Sequence, residues 1–226
     1  MKHLLFYILL IATSFTSLAQ SDVTKFLGFP VDGSESTMIR NLKSKGFTVS
    51  NVSGNQFLKG RFNGIDVHVF ISTEKGKVSR IMVCDENTID EGDIKIRFNR
   101  LCNQFTNNGK YISLDDYTIS DNEDISYEMA VHNKRYEAIF YQLPEGEALE
   151  NLQLSILQNV QEKYSPEQLE NATDELKSQI FADCASELLK AVKNKPVWFM
   201  ITEHYGKYYI AMFYDNELNR AQGEDL

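Results

Sequence analysis

Cysteine is scarce and odd in number: Cys84, Cys102 and Cys184 are the three in 226 residues. In an exported chain that count permits at most one internal disulfide, and size and count together exclude a small disulfide scaffold. Basic residues are a minority, 23 Lys and Arg against 32 Asp and Glu, for a net charge of −9. No concentrated basic stripe overrides that average, so nucleic acid and anionic membrane surfaces are disfavoured as partners. The recurrent site signatures are missing too. The chain has no H-E-x-x-H, H-x-H, C-x-x-C or G-x-S-x-G, and no D-x-[DN]-x-[DN]-G calcium loop. No catalytic residue, metal ligand or cofactor is assigned from the sequence.

Long apolar runs are absent after the first twenty residues, so no transmembrane segment is expected in the mature chain. The start, MKHLLFYILLIATSFTSLAQ, has a basic Lys2-His3 opening and a short apolar run. Ser17 and Ala19 then stand at the −3 and −1 positions of a signal-peptidase site. Residues 1–19 are therefore expected to be a cleaved signal, leaving a mature region of residues 20–226 that is periplasmic or secreted. Loss of Lys2 leaves 22 basic residues against 32 acidic ones, a balance of −10.

What is present alternates between helical and strand periods. Met38, Ile39 and Leu42 have helical spacing, and Gly46 stops that helix. "NQFLKGRFNGIDVHVFIS" predicts a hairpin turning at Asn63-Gly64, and "GKVSRIMVC" a further strand. A second helix should place Ile94, Phe98, Leu101, Cys102 and Phe105 on one face. "DISYEMAVHNKRYEAIFYQLP" predicts a second hairpin, with Ile125, Tyr127, Met129 and Val131 alternating before a turn at Asn133-Lys134. A helical section follows Gly146. Ser165, Pro166 and Gln168 then open a helix with an apolar stripe of Leu169, Leu176, Ile180, Cys184, Leu188 and Val192. A third hairpin turns near Tyr205-Gly206-Lys207. The expected class is α+β, with helices packed on antiparallel meanders in roughly three helix-then-strands units. Two subdomains, 20–86 and 87–226, are one way to divide it.

"GFPVDGSES" has the glycine spacing of a phosphate loop, but Ser34 and Glu35 stand where Lys and Ser/Thr are needed. Asp32 and Glu35 would repel phosphate, whereas Ser34 suits a helix N-cap with an acid in the first turn. The stretch is read as a cap. The paired acids Asp115-Asp116 and Glu123/Asp124 read as solvated loop charges, and His68, His132 and His204 come from separate hairpins. Cys102 and Cys184 lie on apolar stripes, and Cys84 with Cys102 is the favoured pair if a bridge forms, because that helix follows that strand.

The most unusual stretch is the last hairpin, where Trp198, Tyr205, Tyr209 and Phe213 stand among further aromatics on strands apolar on both faces. Such a strand is sandwiched or offers one face to a partner. These four are the candidate ligand-binding residues, since aromatic faces suit sugar rings and protein hot spots.

Taken together, "KFLGFPVDGSESTMIRNLKSKGF", "LKGRFNGIDVHVF", "DISYEMAVHNKRYEAIFYQLP" and "GKYYIAMFYDNELNRAQGEDL" resemble a family of exported Bacteroidetes proteins of unknown function. The resemblance covers nearly the whole mature chain and implies no catalytic residues. More loosely, the "DGSES…M" helix start followed by a meander resembles the repeat of β-lactamase-inhibitor-like and outer-membrane-assembly small lipoproteins. This chain lacks their lipobox cysteine. The leading expectation is a non-catalytic exported binding protein whose partner is a protein or glycan of the cell envelope. An exported hydrolase with a site assembled from strand residues, or a structural envelope subunit, are the alternatives.

Overall fold

The computed structural model describes residues 22–220; the expected signal at 1–19 lies outside them. The chain is α+β, as its alternating periods predict. A two-stranded hairpin, β1 (Lys25–Phe26) and β2 (Phe29–Pro30), turns on Leu27 and Gly28, both at positive φ. Helix α1 (Glu35–Ser44) follows, and Ser34 Oγ accepts the Thr37 N–H at its N-terminus. The glycine-rich stretch is thus a turn and a cap.

The meander β3 (Thr48–Val52), β4 (Asn55–Phe62), β5 (Ile65–Glu74) and β6 (Lys77–Asp85) comes next. Asn63 and Gly64 both take positive φ in the β4–β5 turn, as an Asn-Gly hairpin requires. Helix α2 (Glu91–Thr106) buries all five residues of its expected face. Then come β7 (Tyr111–Ile112), α3 (Ile125–His132) and β8 (Glu137–Gln142). Helices α4 (Glu147–Lys163), α5 (Pro166–Glu170) and α6 (Asp174–Val192) lead into β9 (Pro196–His204) and β10 (Lys207–Asp215). Eight strands form one antiparallel sheet in the order β3-β4-β5-β6-β10-β9-β8-β7. The β6–β10 ladder, Arg80–Cys84 against Ala211–Asp215, joins strands from both sides of residue 86.

The expected hairpin at 125–133 is a helix instead. Asp124 Oδ1 accepts the Tyr127 N–H at 2.8 Å, and Asn133 closes the helix at φ +52°. Tyr127 and Val131 are exposed, so their alternation with Ile125 and Met129 served no sheet face. Ile125 N–H donates to Glu91 Oε1 at 3.0 Å, a tertiary bond that local pattern does not announce. The expected long helix from Ser165 is also divided. The Ser165 capping box forms, but Thr173 caps a new helix through Leu176 N–H at 3.3 Å. Of the expected stripe only Val192 is buried, because α6 packs mainly on α4 rather than on the sheet.

One sheet face carries the core. Met38 and Leu42 of α1 cover Val67, Val69 and Ile81, while Phe98 and Phe105 of α2 meet Phe140 and Phe199. Asp85 pins α2 to the sheet, accepting Arg97 Nε at 2.6 Å and Nη2 at 2.7 Å. A bulge at Ser79, between Ser72↔Arg80 and Thr73↔Val78, turns Val78 into the same core. The three cysteines are free. Alternation explains why Cys84 does not meet Cys102: Ile81 and Val83 point into the core beneath the helices, so Cys84 points to the opposite side of the sheet.

Phe47 lies flat on Gly60, where an added Cβ would stand 2.5 Å from the ring. Gly60→Val is expected to lower stability by about 1–3 kcal/mol through overpacking, read as a lower urea midpoint at unchanged slope. An unchanged midpoint would show that Phe47 has room to move.

Candidate functional site

Residues that alternate away from the core build the second face of the sheet. Register lines them up in rows. Ile139, Trp198, Phe213, Met82 and Phe70 are successive cross-strand partners on β8, β9, β10, β6 and β5. Phe57 of β4 continues the row, its ring stacked on Phe70 at 5.5 Å. Six strands at about 4.8 Å spacing make a stripe roughly 24 Å long. The neighbouring row, Met200, Ala211, Cys84, His68 and Lys59, grows polar toward β4. Trp198, Met200, Met82, Phe70, Ile139 and Tyr209 are all half-exposed, their flanks against one another and their tops open.

The stripe is held rigid at its centre. Trp198 and Phe213 stack with ring centroids 4.0 Å apart and planes within 15°. The Arg80 guanidinium lies 5.0 Å from the Phe213 ring centre and 5.6 Å from that of Trp198. Asp215, 1% exposed, accepts Arg80 Nε at 2.5 Å, Arg80 Nη2 at 2.8 Å and Trp198 Nε1 at 2.9 Å. These bonds raise the Arg80 pKa still further. A groove of about 350 Å³ beside this network is lined by Lys193, Glu217 and Arg220 among others.

The structure brings three of the four aromatic candidates onto this face: Trp198, Tyr209 and Phe213. Tyr205 sits apart at the β9–β10 turn, 92% exposed and roughly 20 Å from Trp198 by strand rise. Arg80, Met82 and Phe70, which motif reading passed over, belong beside Trp198 by register. Their signal was the alternation of Arg80, Met82 and Cys84 against Ile81 and Val83.

The face supplies little for acid–base or nucleophilic chemistry. Cys84 and His68 are cross-strand partners, and His68 Nε2 lies 3.3 Å from Glu86 Oε1 without hydrogen-bond alignment. Burial, with Asp85 nearby, pushes the Cys84 thiol up to about 11, and burial takes Cys102 to about 12. Both are thiols at neutral pH, the opposite of an activated nucleophile. Three of the four paired acids have structural duties. Asp116 accepts the Thr118 N–H, Asp124 caps α3, and Glu123 takes Lys134 and Tyr136. Among the described residues no cluster of His, Cys, Asp or Glu is placed to hold a metal ion, and no helix is long and apolar enough to cross a membrane.

No protein-family model, curated protein or solved structure matches this chain.

Two outcomes test this geometry. Asp215→Ala leaves the Trp198 N–H and the Arg80 guanidinium unpaired and should cost about 2–4 kcal/mol, the lower part of the range reflecting partial exposure of Arg80. The emission of Trp198, the single tryptophan, should shift in native buffer, and an unshifted spectrum would deny the network. In alkylation by iodoacetamide, Cys84 should stay unlabelled at pH 8, where about one thiol in a thousand is ionised, and react only as pH approaches 11. Fast labelling at pH 8 would revive a thiolate site.

Proposed function

We propose that this chain is a non-catalytic exported binding protein that docks a protein partner of the cell envelope on the open face of its sheet. The observation that carries the reading is the stripe Ile139–Trp198–Phe213–Met82–Phe70–Phe57, in which Ile139, Trp198, Met82 and Phe70 are half-exposed while Phe213 and Phe57 are buried. Contiguous apolar surface of this kind marks interaction sites. Flatness favours a protein over a small molecule, which needs a concavity. Trp198, already stacked and hydrogen-bonded, brings a large contact area with little rotamer freedom left to lose, the character of an interface hot spot. The protonated thiols and the structurally committed acids support binding over hydrolysis. The excess of acidic residues disfavours nucleic acid.

The test follows Trp198 emission in residues 20–226 while fractionated envelope proteins are added. A saturable change is expected, and Met82→Asp, at the centre of the stripe, should weaken it about ten-fold or more at unchanged melting temperature. Equal binding by the variant would place the partner elsewhere. A concentration-dependent change without any added protein would make the partner a second copy of this chain.

A further inference from the structure

The opposite side of the same strands holds a different kind of concavity. A cleft of about 610 Å³ opens where the β1–β2 turn, the β4–β5 turn, the end of α2, β7 and the segment after β8 converge, with Met212 and Tyr214 of β10 at its base. That volume falls in the range of small-molecule sites, and three classes of group share its walls.

Apolar surface comes from Leu27, Phe62, Phe105 and Tyr111. Amides come from Asn63, Gln104 and Asn108. Asn63 Nδ2 donates to Gln104 Oε1 at 2.8 Å. Among the described residues Asn63 Oδ1 and Gln104 Nε2 then carry no protein hydrogen bond, so one acceptor and one donor stand side by side. Adjacent hydroxyls of a sugar, each both donor and acceptor, match that pair. Gln142, by contrast, is committed. Its Oε1 accepts Lys25 N–H at 2.6 Å, and its Nε2 donates to Lys25 O at 3.2 Å and Tyr111 Oη at 3.3 Å, so it fixes the wall rather than meeting a ligand.

Charge supplies the third class. Lys25 Nζ and Lys110 Nζ reach the two oxygens of Glu145 at 3.1 and 2.8 Å. Each ammonium has three donors and spends one on this bridge. Two lysines against one glutamate leave a positive surplus at the mouth, in a chain whose overall charge is −9. Phenols at the base stay neutral, burial raising both Tyr111 and Tyr214. The walls therefore offer apolar contact for the C–H faces of a ring, paired amides for its hydroxyls and a cationic rim for one carboxylate. We infer that this cleft binds a short acidic saccharide carrying a uronic-type carboxylate.

Titration calorimetry of residues 20–226 with digalacturonic acid, cellobiose and inorganic phosphate tests the assignment. Digalacturonic acid should bind, cellobiose at least about ten-fold more weakly, and phosphate not measurably at about 10 mM. Lys110→Gln, an exposed substitution, should lower digalacturonate affinity about ten-fold while leaving the melting temperature in place, and Gln104→Ala should weaken both sugars alike. No heat with digalacturonate at about 10 mM would overturn the inference. So would equal binding of the two sugars, phosphate binding as well as digalacturonate, or indifference to both substitutions. The Trp198 titration with envelope protein should be unchanged in Lys110→Gln, which keeps failure of one site distinct from failure of the other.

Discussion

Asp215 holds together segments that are far apart in the chain. Its carboxylate gathers Arg80 from β6 and Trp198 from β9, and its backbone carbonyl accepts the Thr24 hydroxyl. A carboxylate at 1% exposure is tolerable only when its oxygens are fully engaged, so its presence specifies both Arg80 and Trp198 at once. The next residues extend the same role. Asn216 N–H donates to Ser79 O and Asn216 Nδ2 to Val31 O, while Asn219 Nδ2 reaches Asp32 and Val78 O. The end of β10 thereby locks the bulged start of β6 and the chain before α1. The stacked Trp198–Phe213 pair is the outward product of that lock.

The sheet's period of two then divides labour between its faces. On β10, Ile210, Met212 and Tyr214 point into the core and Tyr209, Ala211 and Phe213 point out, so one strand serves both. Helices α1 and α2 cover the inner face, and the cleft forms where that cover stops, at the C-terminal end of α2. The α4–α6 arm meets the sheet mainly where α6 packs on β8. A flat stripe and a walled cleft are different solvents for a ligand. The first rewards large complementary area, and the second rewards a few well-placed polar groups.

Much of the fold was legible because it is local. Asn63-Gly64 and Tyr205-Gly206 specify their turns through positive φ, and the spacing of Ile94, Phe98, Leu101 and Phe105 specifies a buried helix face. The error at 125–132 shows the limit of that logic. Four alternating residues fit a strand, yet Ile125 and Met129 are also four apart, as on a helix, and Asp124 with Glu91 decided between them. Strand order is less accessible still, since nothing near Arg80 announces a partner at Asp215, 135 residues on. Trp198, Tyr209 and Phe213 could be proposed from composition, but which aromatics share a face depends on register. Tyr205 falls outside because it lies in the β9–β10 turn. The cleft was invisible because Lys25, Asn63, Gln104, Lys110 and Glu145 come from five separate segments.

Back-to-back sites on one strand raise the question of communication. Coupling requires an element with two arrangements that the ligands prefer differently. Here the shared element is β10, paired along its length with β9, hydrogen-bonded to β6 on its other side and tied at its end by Asp215. A central strand laddered to β9 over Lys207–Tyr214 and to β6 over Ala211–Asp215 cannot slip by one residue without turning its core side chains outward. The parts of the cleft free to shift are its turns and exposed side chains, at Leu27-Gly28 and Lys110, which touch nothing on the stripe. A saccharide in the cleft and a protein on the stripe, if both proposals hold, are therefore expected to bind as independent events. An observed dependence between them would have to run through movement of α2, which the Arg97–Asp85 ion pair ties to the strand beside β10 and the Lys207–Asp90 pair ties to β10 itself.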